Sequence, residues 1–185
     1  IIYEPKAIVS GDFYWASTVE GKFDADGNEE PMTVVAVADC TGHGVPGAFM
    51  SLLGMSFLGA IIQSTVNHGN VLSPGMILKQ LRDKVKSALQ QTGKESEAKD
   101  GMDICLIIVD KNRSKLKYAG AYNPLYIVSS HKSNQPELTE LTADRMPIGI
   151  YIKEKEFFTD QTAEIKEGDC LYLFSDGYID QFGGG

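Results

Sequence analysis

"VVAVADCTGHGVPGAFMSLLGM", residues 34–55, is the stretch on which the fold turns. A β-branched run ends on a carboxylate, Asp39. A glycine-punctuated turn holding Cys40 and His43 follows, and then an uncharged segment runs from Gly44 to Ile62. Placing a carboxylate at the end of a buried strand disfavours its charged form unless something compensates. The uncharged segment approaches the length of a membrane span. Pro46, Ser51, Gly54, Ser56 and Gly59 dilute its hydrophobicity, however, and no basic flank accompanies it. It predicts a helix buried between layers of a soluble core, with Pro46 in the first turn and no membrane contact.

Upstream, residues 7–21 read as a strand with Gly11 and Asp12 set inside it, and "ADGN" marks a hairpin turn into the strand 32–39. Downstream, Ser73 and Pro74 open a second helix over residues 73–91. Ile77, Leu81, Val85 and Leu89 recur there at helical spacing, and the Lys and Arg face is expected in solvent. From residue 102 the period changes to strands: 102–110, 115–121, 125–130, 137–142, then "KEFFTDQTAEI" and "DCLYLFSDG". Strand pairs surround a block of two helices with no βαβ alternation, which predicts an α+β fold with antiparallel sheets.

The chain has 185 residues, 43% hydrophobic and 23% charged, which suits one globular domain. A net charge of −8 without a basic cluster argues against a nucleic-acid partner or an anionic membrane surface. Cys40, Cys105 and Cys170 lie far apart in or beside apolar runs. They read as buried free thiols in a reducing, cytoplasmic setting rather than as zinc ligands.

Several carboxylates share a context. Asp12 in "VSGDFYW", Asp39 in "VVAVAD" and Asp176 in "LYLFSDG" each follow an apolar run and adjoin small residues; Asp103 begins such a run, with Asp100 just before it. No Arg or Lys stands near Asp12, Asp39 or Asp176 in sequence. Converging acids repel unless a cation lies among them, and oxygen-only donors suit Mg²⁺, Mn²⁺ or Ca²⁺.

"VSGDFYW", "VADCTGHGVPGAFMS", "DGMDICL", "KLKYAGAYNPLYIV", "RMPIGIY" and "GDCLYLFSDGYIDQFGG" occur in order over nearly the whole chain. Together they resemble the phosphatase domain of the stage II sporulation protein E type, a bacterial branch of the protein phosphatase 2C-like superfamily. The resemblance implies two antiparallel β-sheets in a sandwich flanked by helices, with two Mn²⁺ or Mg²⁺ ions at one edge. It implies that Asp39 bridges both ions, that Asp176 and the backbone carbonyl of Cys40 are metal ligands, and that Asp12 is a ligand directly or through water. Asp103 is a further candidate, with Asp100 competing for that role.

The implied reaction is hydrolysis of phosphoserine or phosphothreonine in a protein by metal-activated water, with His43 as a candidate acid for the leaving group. Arg145, in "ADRMPIG", is a candidate for touching substrate phosphate; His68 and His131 read as surface residues. The implied substrate is a phosphorylated regulator such as an anti-sigma-factor antagonist in bacterial partner switching, under an upstream sensor domain in the same chain. Residues 1–185 are expected to form a single phosphatase domain, a piece of a longer sensor-fused protein. They lack the Asp-Asp pair with which the family closes its metal site. The competing expectation is a catalytically inactive module that binds a phosphoprotein or relays a signal.

Overall fold

The computed structural model describes residues 1–3, 8–42, 44–93, 99–112, 114–129 and 136–178. Among them the chain runs β1 (Phe13–Lys22), β2 (Glu29–Cys40), α1 (Val45–Asn67), α2 (Pro74–Ala88), β3 (Met102–Val109), β4 (Lys115–Ala121), β5 (Leu125–Ser129), β6 (Glu137–Leu141), β7 (Gln161–Glu164), β8 (Cys170–Tyr172) and a short 3-10 turn, Asp176–Tyr178. One sheet has five strands in the order β1-β2-β3-β4-β7, the other three in the order β6-β5-β8. Every pairing between named strands is antiparallel, as the absence of βαβ units predicts.

The five-stranded sheet is covered on both faces because its strands alternate two apolar sets. Ala36 and Ala38 of β2, Ile104, Leu106 and Ile108 of β3, and Ala119 and Ala121 of β4 face α1 and α2 and share a core with Leu58, Ile61, Ile77, Leu81 and Val85. Cys105 and Ile107 of β3 and Leu116 and Tyr118 of β4 face the other way, onto Leu125, Ile127 and Leu171 of the smaller sheet. Both described helices lie on the outer face of the larger sheet.

Local sequence accounts for the helices, with three differences from expectation. The Ser73 hydroxyl caps α2 by accepting the Met76 N–H at 3.1 Å, which stabilises an otherwise unpaired first turn. Ile77, Leu81 and Val85 are buried as their spacing predicts, but Arg82 on the supposedly solvated face is 2% exposed. The segment 151–160, which has no regular structure and so no periodic signal, folds over that face. α1 is long and apolar enough to cross a membrane by length and composition. One side of it packs in the core through Met50, Leu58, Ile61 and Ile62, while Val45, Phe49 and Leu52 are exposed on the other, so it is half-buried rather than enclosed. Finally, β1 starts at Phe13, leaving Gly11 and Asp12 just before the strand rather than within it.

Candidate metal centre

The strand registers assemble the acids. Phe13 pairs with Ala38, Ala38 with Ile104, and Ile104 with Ala121; Asp39 pairs with Asp103. Continuing the outer ladders by one residue places Asp12 opposite Asp39 and Tyr122 opposite Asp103. One transverse row, Asp12–Asp39–Asp103–Tyr122, thus crosses the end of four adjacent strands. Cross-strand neighbours share a face. Asp39 has the parity of Val35, and Asp103 that of Cys105 and Ile107, all on the inter-sheet side. The row therefore faces the mouth of the sandwich. Asp176 reaches the same mouth from the smaller sheet, four residues beyond the end of β8.

The electrostatics follow. Asp39 is pushed up to about 8: burial is the largest cause, followed by side-chain hydrogen bonding with Asp176 and the charge and hydrogen bonding of Asp12. Asp103 is pushed up to about 6 by burial and then by the charge of Asp176. Asp100 does not act on either group; its carbonyl accepts from the Gln91 side chain at 2.6 Å. The Ser175 hydroxyl donates to Asp12 Oδ2 at 2.8 Å, tying the two sheets across the mouth. Among the described residues, none of Asp12, Asp39, Asp103 and Asp176 pairs with a Lys or Arg.

Backbone carbonyls crowd the same point. A Cβ at Gly11 would lie 2.9 Å from the Cys40 carbonyl oxygen and 2.8 Å from that of Gly42, so only glycine lets the segment leading to Asp12 approach the turn after β2. Gly42 itself has φ 92°, which turns the chain from the end of β2 toward α1. Cys40 and Cys105 are buried free thiols as expected, but Cys170 is exposed, because it opens β8 at the edge of the smaller sheet. Burial, then Asp39, pushes the Cys40 thiol up to about 12, which keeps it protonated and leaves its carbonyl as the available donor.

The donor set fits hard divalent cations. All candidate donors are oxygen, they carry uncompensated like charge, and Mg²⁺ in particular keeps several of its waters and needs few protein ligands. Among the described residues, no three His, Cys, Asp or Glu side chains close on one point as a finished ligand set. The acids instead meet pairwise, and burial with the neighbouring carboxylates makes Asp39 hold a proton more readily than an isolated carboxyl group, a repulsion that a bound cation would relieve. His43 and His131 lie outside the described residues. His68 is exposed at the C-terminus of α1, its Nδ1 2.6 Å from the Ser64 carbonyl oxygen.

Tyr122 was not singled out by sequence reasoning. Its φ is 57°, and the Asn123 N–H donates to the Ala121 carbonyl at 2.7 Å, which makes Tyr122 the centre of a γ-turn of the strained, positive-φ kind. Tertiary bonds hold it: the Tyr122 N–H donates to the Asp144 carbonyl at 2.9 Å, and the hydroxyl of fully buried Tyr118 donates to the Asn123 carbonyl at 2.8 Å. The Tyr122 phenol is pushed up to about 12, first by hydrogen bonding with Tyr151, while the Arg145 guanidinium opposes the rise and Asp103 adds to it.

Two antiparallel sheets in a sandwich, with helices outside the larger sheet, form an α+β fold of the protein phosphatase 2C (PP2C) type. The chain belongs to the family described as Stage II sporulation protein E (SpoIIE), which matches residues 30–184. Among solved structures it is similar to the SiaA-PP2C domain of Pseudomonas aeruginosa, at 30% identity with a TM-score of 0.72, covering 100% of this chain and 63% of that one. It is similar in fold to the PP2C phosphatase domain with a regulatory-domain fragment of SpoIIE from Bacillus subtilis, at 22% identity with a TM-score of 0.63, covering 92% and 42%. It also resembles the catalytic domain of the serine/threonine protein phosphatase PstP in complex with two manganese ions, at 16% identity with a TM-score of 0.52, covering 93% and 80%. No curated protein matches significantly. The chain thus spans less than two thirds of the length of the first two of these structures.

Proposed function

We propose that the protein is a metal-dependent serine/threonine protein phosphatase. The observation that carries this reading is that Asp39 meets Asp176, from beyond the smaller sheet, and meets Asp12, with Asp103 opposite it on the next strand and, among the described residues, no cationic side chain paired to any of them. Asp12, Asp39, Asp176, Asp103 and the Cys40 carbonyl would hold two Mn²⁺ or Mg²⁺ ions. Bound there, such a pair supplies an activated water for attack on phosphorus and neutralises the phosphoryl oxygens.

The chain's own residues do the positioning. Asp39 is fixed by its pairing with Asp103 on β3 and by the pairing of its neighbour Ala38 with Phe13 on β1, so its carboxylate is preorganised among the other acids. Ser175 orients Asp12. The apolar inter-sheet core below the row closes it off from water on that side. His43 is the candidate for returning a proton to the leaving serine oxygen. The substrate we favour is a phosphorylated regulatory protein, such as an anti-sigma-factor antagonist in a cytoplasmic partner-switching circuit, with a sensor domain in the same chain controlling access.

The test is hydrolysis of p-nitrophenyl phosphate and of a phosphoserine peptide with Mn²⁺, with EDTA, and with Asp39→Asn. Mn²⁺-dependent turnover, lost by about 10²-fold or more in the variant, is expected. Turnover that persists in EDTA, or in Asp39→Asn, would overturn the reading.

A further inference from the structure

Beyond Tyr122 the sheet end leads to a cavity of about 300 Å³ lined by Ala143, Asp144, Arg145, Met146, Lys153 and Lys155. It is separate from the acid row, and its sign is opposite. In a chain of net charge −8 it gathers three cations against one carboxylate. The oxygens of that carboxylate are already taken: Asp144 Oδ1 accepts from Lys155 Nζ at 2.7 Å and from the Thr159 hydroxyl at 3.2 Å, and Oδ2 accepts from the Thr159 N–H at 2.6 Å. Among the described residues, Arg145 and Lys153 form no ion pair.

Both walls are held in place. Arg145 is the centre of a tight turn in which the Met146 N–H donates to the Asp144 carbonyl at 2.9 Å, and that carbonyl also receives the Tyr122 N–H. On the opposite wall, the buried guanidinium of Arg82 donates to the carbonyls of Lys155 at 2.9 Å and Glu156 at 2.6 Å. The Lys155 N–H points to Met146 Sδ at 3.3 Å and joins the walls. The cations are therefore presented by fixed backbone, not by a loose surface loop. Ala121 bridges to Asp144 and the Tyr122 N–H donates to the Asp144 carbonyl at 2.9 Å, which sets Arg145 beside the strand end that carries Tyr122, so the cavity opens beside the acid row and not within it.

We propose that this cavity is a specificity subsite that takes an acidic side chain of the protein substrate, close in sequence to the phosphoserine, while the phosphoryl group lies at the acid row. The proposal rests on the phosphatase reading above. A guanidinium that forms no ion pair among the described residues offers a carboxylate a two-pronged seat, and Lys153, likewise without an ion pair among them, adds charge.

The experiment compares kcat/KM, with Mn²⁺, for two phosphoserine peptides that differ only in Glu or Gln on either side of the phosphoserine. The wild-type protein should prefer the Glu peptide. Arg145→Ala and Lys153→Ala should each lower that preference by about threefold, the scale of one partly exposed charge pair, and added salt should compress it. No preference in the wild type, or variants that slow both peptides equally, would overturn the subsite; the second result would put Arg145 on the phosphoryl group itself. If the wild type hydrolyses neither peptide, the phosphatase reading fails. The subsite is then read by NMR titration with the unphosphorylated Glu peptide: shifts confined to residues 143–146 and 153–155 support it, and their absence overturns it.

Discussion

Asp144 joins two segments that no local pattern connects. Burial opposes its ionisation, but hydrogen bonds from Lys155 and Thr159, with the lysine charge, outweigh burial and hold the carboxyl below its ordinary value of 3.8. A group that binds its proton less readily when folded stabilises the fold above its unfolded pKa, and that stabilisation disappears as pH falls through the lower folded value. Asp144→Asn should therefore lose about 1–2 kcal/mol at neutral pH, and its deficit should close below about pH 4. Urea unfolding of both proteins across that range measures it; a deficit that stays constant with pH would remove the charge from the account. Residues differ in how far sequence alone reveals them. Asp39 is legible because a β-branched run points at it and glycines follow. Tyr122 is not, because its γ-turn is imposed by Asp144 and Tyr118, and nothing in "AGAYNP" announces a positive φ.

Among the elements, α2 shows where periodicity stops informing. Its apolar spacing places Ile77, Leu81 and Val85 correctly, and its cap at Ser73 is a local signal. The burial of Arg82 is not local: segment 151–160 supplies two carbonyls, the Glu154 carboxylate 3.7 Å from Nε, and the Phe158 ring 5.1 Å below the guanidinium. Arg82→Met keeps most of the apolar contact but leaves those carbonyls without a donor. Charged hydrogen bonds of this kind contribute about 1.5–3 kcal/mol each. The variant should lose roughly 3 kcal/mol, or about 6–12 °C in melting temperature for a domain of this size. Thermal unfolding followed by circular dichroism checks it, and a change within a degree or two would mean that α2 holds the segment without its arginine. α1 fails expectation for a related reason. Its composition is apolar nearly all round, so no polar stripe marks the side that stays exposed at Val45, Phe49 and Leu52.

At the scale of the whole molecule, the acid row makes the mouth of the sandwich a point of stored repulsion. Asp39 and Asp103 belong to the larger sheet, Asp12 to the segment leading into it and Asp176 to the segment after the smaller one, so like charge on them pushes the sheets apart where the Ser175–Asp12 hydrogen bond holds them together. A divalent cation bound there would reverse the sign of that interaction and link the two sheets. Because the acids converge only in the folded chain, binding free energy appears as folding stability. With free Mn²⁺ at 100-fold its dissociation constant, the gain is about 2.7 kcal/mol, equivalent to about 5–10 °C in melting temperature. Asp39→Asn should abolish most of this shift and Asp176→Asn should reduce it, whereas Asp100→Asn should retain it, since Asp100 acts on neither Asp39 nor Asp103. Equal shifts in all three variants would mean that Mn²⁺ binds elsewhere on this acidic chain, and a full loss in Asp100→Asn would move the ligand from Asp103 to its neighbour.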